Sequence, residues 1–201
     1  MDSNIIRQKH QRDPVPICLT GGAEGSDTAW ANAALRNGHK VVIMSFEGHK
    51  ALVPKHPNVE WKKIAQSQLD TAEEALNKAC LVLGKTTYHK NDYTRNLLLR
   101  NYFQQVGSQA IYAVSDLVPN YVTKLLQVEG GTGYACEMAY QTNPNRPIYL
   151  FRQLDKKWYT RSAVLGHWAI MSTPPPRPSG IYTGIGARAL LSSDPIDALF
   201  A

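Results

Sequence analysis

A short apolar run ending in a glycine-rich turn occurs three times in this chain, and that repetition limits its fold more than any other feature. The turns are Thr20-Gly21-Gly22-Ala23-Glu24-Gly25-Ser26-Asp27, Glu129-Gly130-Gly131-Thr132-Gly133 and Thr183-Gly184-Ile185-Gly186-Ala187-Arg188. The first two lead straight into helix-compatible sequence. A strand, a turn without side chains and a helix N-terminus together make an anion site. The glycines let backbone N–H groups approach a phosphate, and the helix dipole adds roughly half a positive charge there. One such turn says little, because glycine is common in turns. Three within 201 residues point to a nucleotide or another phosphorylated ligand.

Between the turns, strand and helix patterns alternate. Val15 to Leu19 is a short apolar strand candidate. The spacing predicts a helix over Ser26 to Arg36, capped by Ser26 or Asp27, with Trp30, Ala33 and Ala34 on one face. Asn37-Gly38 ends it. Lys40 to Phe46 reads as a buried strand, and Glu47 to Lys63, with Pro54 and Pro57, as a loop. Asp70-Thr71-Ala72-Glu73 resembles a capping box ahead of Ala72, Ala75, Leu76, Ala79 and Leu83 at helical spacing. A helix from about Asp92 to Val106, a strand over Ala110 to Val114, a helix over Tyr134 to Gln141 and a strand over Pro147 to Phe151 follow. Lys157 to Tyr159 is an edge strand or a turn. Thr173 to Ser179 carries Pro174, Pro175, Pro176 and Pro178 and reads as an extended linker over the surface. Beyond it, Gly180 to Thr183 is one more strand, and Ser193-Asp194-Pro195 opens a short helix. This alternation predicts an α/β, Rossmann-like fold: a mostly parallel sheet flanked by helices, with ligands beyond the carboxyl ends of the strands.

The length suits one domain, with a polar tail at residues 1–12. No apolar run is long enough to span a bilayer, and the first residues lack a secretory pattern. The three cysteines, Cys18, Cys80 and Cys136, show neither disulfide nor zinc spacing, so the cytoplasm is the expected compartment. A net charge of +6 favours anionic partners, but it is scattered rather than blocked and gives little support for nucleic acid. No membrane partner is expected.

These motifs resemble the SLOG superfamily. That group has a Rossmann-like fold and includes cytokinin-activating phosphoribohydrolases, DNA-processing protein A and nucleotide-sensing domains. Gly130-Gly131-Thr132-Gly133-Tyr134-Ala135-Cys136-Glu137 is similar to the phosphoribohydrolase signature Gly-Gly-x-Gly-Thr-x-x-Glu, with Tyr134 in place of the threonine and Glu129 in place of the usual preceding proline. The Gly21 to Asp27 turn looks like the Gly-Gly-x-x-Gly-x-Asp turn of other members. Gly184-Ile185-Gly186-Ala187-Arg188 is similar to the turn that usually opens the fold. Here it comes last, so the chain resembles the circularly permuted branch, which includes molybdenum-cofactor-carrier-like proteins. The resemblance implies a permuted strand order, with Gly180 to Thr183 entering the sheet beside the first strand.

The candidate ligand residues are Gly21, Gly22, Gly25, Ser26, Asp27, Gly130, Gly131, Thr132, Gly133, Gly184, Gly186 and Arg188. Asp27 is either a helix cap or a partner for a ribose or base. Arg100-Asn101 joins them, because the pair resembles an Arg-Asn pair of some SLOG members and an arginine can fork onto a phosphate. Arg95 reads as part of an ordinary solvated helix face. Glu137 is the one catalytic candidate. The resemblance implies a part in cleaving an N-glycosidic bond, against a helix acid or a ribose contact as the plainer alternatives. Trp158, Tyr159 and Trp168 could stack on a base but suit a core equally well. His49 and His56 lack metal-ligand spacing, so neither metal nor cofactor is expected.

Three functions follow in order. The first is a binder that senses, carries or sequesters a nucleotide-derived small molecule, such as a defence signal, as the resemblance implies. The second is a nucleoside 5′-monophosphate N-glycosidase using Glu137. The third is a DNA-binding protein. The resemblance also implies a homo-oligomer.

Overall fold

The computed structural model describes residues 14–85 and 91–201, so the tail expected at residues 1–12 lies outside the described residues. The elements begin with β1 (Ile17–Thr20), α1 (Ser26–Arg36), β2 (Lys40–Phe46), β3 (Val59–Ile64), α2 (Gln66–Asp70), α3 (Glu73–Val82) and α4 (Asp92–Gln105). They continue with β4 (Ala110–Ser115), β5 (Leu117–Pro119), β6 (Leu126–Val128), α5 (Gly130–Thr142) and β7 (Ile148–Arg152). The last are β8 (Lys157–Arg161), β9 (Trp168–Ile170), β10 (Ile181–Gly186) and α6 (Asp194–Asp197). An eight-stranded sheet has the order β3-β2-β1-β10-β4-β7-β8-β9, and β5 pairs with β6 in a separate hairpin. Every pairing from β3 to β7 is parallel, and β8 and β9 add antiparallel.

The last strand in sequence is thus an inner strand. Ile17 to Leu19 of β1 pair with Ile181 to Thr183, and Tyr182 to Gly186 pair with Ala110 to Val114. This is the non-sequential order expected from the third turn. Side-chain alternation along the strands sorts the core into two faces. Cys18, Ile43, Tyr112 and Tyr182 face α1 and α6, whereas Leu19 and Met44 face α3 to α5. Ile111, Ala113 and Ile185 pack on α5 on that same second face. Trp30 fills the centre of the first face, with ring centroids 5.7 Å from Tyr112 and 6.4 Å from Phe200. Gly184 makes room for it, since a Cβ there would lie 2.5 Å from the indole. Gly184 therefore sits inside a strand and serves packing rather than forming a turn.

Several local expectations are corrected. Val59–Ile64, within the expected loop, is the edge strand β3; its Glu60, Trp61, Lys62 and Lys63 are exposed, so it lacks the alternation of a half-buried strand. Asp70 ends α2 instead of capping α3, whose cap residue Ala72 has no acceptor. At the start of α2, Gln68 Oε1 accepts the Ala65 N–H at 3.1 Å. Gly25 rather than Ser26 or Asp27 is the cap position of α1. The second glycine turn is itself the first turn of α5. The proline segment does not lie wholly on the surface: Pro175 and Pro178 are buried, and the Tyr112 hydroxyl donates to the Pro176 carbonyl at 3.0 Å. Among the described residues, no helix is long and apolar enough to cross a membrane.

Ending the chain at Thr173 removes β10 and leaves β1 and β4 each with an unpaired edge. The expected product is insoluble or molten, binds a hydrophobic dye and shows no cooperative thermal transition by circular dichroism.

Candidate functional site

The first and third turns meet at the carboxyl ends of β1, β10 and β4. The Ser26 N–H and hydroxyl both donate to the Ala187 carbonyl, at 3.0 and 2.9 Å, and the Ala187 N–H donates to Val114 at 2.8 Å. Gly25 has φ +88°, and a Cβ on it would lie 2.2 Å from the Arg188 carbonyl oxygen. Gly21, Gly22, Gly25, Ser26, Asp27, Gly186 and Arg188 thus come together from the two ends of the chain.

Asp27 is the knot of this junction and is 6% exposed. Its Oδ1 accepts the Gly186 N–H at 3.3 Å, the Ala23 N–H also donates to the carboxylate, and Oδ2 lies 3.4 Å from Arg100 Nη1. Two of the turn amides that sequence offered to a phosphate are therefore held by the protein's own carboxylate. Burial pushes the Asp27 carboxyl up from its usual range, against the lowering pull of Arg100 and the two N–H groups.

Arg100 reaches this knot from α4 and is 3% exposed. Its guanidinium lies over Gly21, where a Cβ would sit 1.3 Å from Nη1, so only glycine leaves space for it. Arg100 Nε is buried and has no hydrogen-bond partner. Burial pushes its pKa down; Asp27 and Tyr93 oppose that, and nearby Arg188 adds to it. The Arg188 side chain is exposed, and no carboxylate among the described residues pairs with it. Asp27 thus pairs with Arg100, while Arg188 adds positive charge near Arg100 without a carboxylate of its own. An arrangement of this kind attracts an anion that offers oxygens to both.

Three aromatic residues that sequence did not connect with the turns stand beside Arg100. His49 stacks on Phe46 with ring centroids 5.0 Å apart, and Phe46 lies 5.7 Å from Tyr93. His49 Nδ1 is 3.3 Å from the Ser45 hydroxyl, whereas its buried Nε2 has no partner. Burial, helped by Arg100, pushes the His49 pKa down to about 4, so the ring is uncharged at neutral pH. The sequence signal for His49 is slight: it shows only a loop histidine without metal-ligand spacing. Among the described residues, no three His, Cys, Asp or Glu side chains gather as a metal set.

The second turn contributes differently. Gly130, Gly131, Thr132 and Gly133 wind the start of α5, and Asn101 Nδ2 donates to the Gly131 carbonyl at 3.4 Å. Thr132 is buried, and Gly133 lies against the Val128 carbonyl. Glu137 is farther along the helix and 3% exposed. It accepts from Arg161 at 2.6 Å and from Gln141 at 2.9 Å. Arg161 also donates to the Gly166 carbonyl at 3.1 Å and covers the Tyr140 ring at 4.0 Å. This pair lines a groove of about 360 Å³ with Asn120, Leu126, Tyr140 and Trp168, and no residue of the first or third turn lines that groove. A smaller cavity of about 290 Å³, lined by Glu24, Gly25, Thr28 and Arg36, opens on the outer side of the first turn. Trp158 and Tyr159 are buried in the core, and Arg95 pairs with Glu73 at 2.7 Å on the surface.

Two stability predictions follow from this geometry. Gly25→Ala forces both a positive φ and a backbone clash, so it should cost about 2 kcal/mol or more in urea unfolding. Gly21→Ala strikes only the end of a long side chain and should cost less than Gly25→Ala. Arg161→Leu leaves Glu137 buried without its cation and should cost about 3 kcal/mol, with the loss partly restored by Glu137→Gln in the same chain.

Scans against protein-family models, curated proteins and solved structures find no match to this chain.

Proposed function

We propose that the chain binds a nucleotide-derived small molecule and senses, carries or sequesters it, holding its phosphate between Arg100, Arg188 and the first and third turns. The resemblance to SLOG proteins suggests the same ligand class. The observation that carries this reading is the buried Arg100, whose Nε has no partner and whose charge is opposed by an exposed Arg188 that has no carboxylate of its own among the described residues. Burying a guanidinium beside a second one is unfavourable unless an anion offsets both. Bond cleavage has less support. Glu137, the candidate glycosidase acid, is neutralised by Arg161 and lines the separate groove on α5. A homo-oligomer belongs to the same reading, supported by the exposed Leu125, Leu126 and Leu165 that line that groove.

Arg188→Ala should keep the fold and weaken calorimetric binding of adenosine 5′-monophosphate by about tenfold, with much less effect on adenosine, since a charge-assisted contact to an anion is what is lost. Equal affinity of the variant and the parent for the monophosphate would remove Arg188 from the site. Chromatographic release of free base by the parent, abolished in Glu137→Gln, would replace the binding reading with the glycosidase.

A further inference from the structure

The loop after β2 is fastened to the first glycine turn, because the Leu52 N–H donates to the Gly22 carbonyl at 2.8 Å. The Ala51 and Val53 side chains pack against Gly22, and Arg100 lies over the adjacent Gly21, so the loop that carries His49 runs along the turn that Arg100 covers. Three features coincide there. His49 Nε2 and Arg100 Nε are both buried polar atoms without hydrogen-bond partners. The His49 ring is fixed in orientation by its stack on Phe46 and by Ser45 at Nδ1. The Tyr93 ring lies tilted at 59° to Phe46 while remaining 39% exposed. Buried polar atoms in folded proteins are nearly always paired, so two neighbouring orphans mark a place where another molecule supplies the partner. Flat rings around them select a flat group, and a stack of this kind accepts a nucleobase through its π-face.

We infer that His49 and Tyr93 form the base-recognising wall of this site, so that the ligand is a nucleoside phosphate whose base lies against the two rings and hydrogen-bonds to His49 Nε2. This rests on the phosphate-binding reading above and adds the part of the ligand that the phosphate contacts do not see. The uncharged imidazole suits a neutral base, since a cation at that place would compete with Arg100 for the phosphate.

The test compares adenosine 5′-monophosphate, guanosine 5′-monophosphate and ribose 5-phosphate by calorimetry. At least one of the two nucleotides should bind the parent protein about tenfold or more tighter than ribose 5-phosphate. His49→Ala and Tyr93→Ala should each remove most of that advantage while leaving ribose 5-phosphate within about twofold of the parent, as expected for lost stacking alone. His49→Phe keeps a ring but lacks Nε2 and should fall between His49→Ala and the parent. Thermal unfolding of each variant checks that the fold persists. Ribose 5-phosphate binding as tightly as both nucleotides, or a nucleotide affinity that ignores both alanine variants, overturns this inference and leaves the phosphate site standing. If His49→Ala weakens both ligand types equally, His49 belongs to the phosphate contact instead and the base wall is wrong. Absence of binding by all three probes overturns the phosphate reading, and the base wall falls with it.

Discussion

One buried carboxylate holds the two ends of this fold together. Asp27 takes N–H groups from Ala23 and Gly186 and faces Arg100, so a single side chain joins the first turn, the end of β10 and α4. The Arg100 contact, at 3.4 Å, is long for a charge-assisted bond, so it offsets the cost of burying both charges incompletely. The strand order and the cationic surplus both lead back to this point. Without Asp27 the third turn would lose a partner that β1 and β4 cannot supply, and Arg100 would be buried alone.

The glycines were readable in the sequence, but their reasons were only partly so. Gly25 stands at a backbone angle that other residues rarely adopt, as a turn glycine should. Gly184 and Gly133 are small because an indole and a carbonyl occupy the space beside them, and spacing alone cannot distinguish that from a phosphate turn. The inward position of β10 was legible only through the resemblance of the third turn to the one that usually opens the SLOG fold. Strand β3 was not, because an edge strand carrying Glu60, Lys62 and Lys63 has the composition of a loop. Asp27 reads as a cap or a ligand partner because those uses are local or external, whereas two of its partners, Gly186 and Arg100, are 159 and 73 residues away in sequence. His49 was set aside for the same reason: the neighbours that give it meaning come from α4 and the first turn.

The motif that resembles the phosphoribohydrolase signature winds the first two turns of α5. Gly131 lies beside Asn101, whereas Gly133 lines the same groove as Glu137, whose carboxylate turns to Arg161 on β8. Residue identity was legible at both ends; the cation that neutralises Glu137 was not, because β8 itself read only as an edge or a turn.

The late arrival of β10 has a consequence for how the protein is made. Strands β1 and β4 emerge from the ribosome well before residues 181–186 exist, and neither can pair with the other in the native order. Each must wait with an open edge, in a cell crowded with other open edges, until the final inner strand is synthesised. Parallel pairing between distant segments is also slow, since loop closure comes before any contact rewards it. Folding of the sheet centre thus waits for residues 181–186, and the nascent strands before them depend on shelter from other open edges.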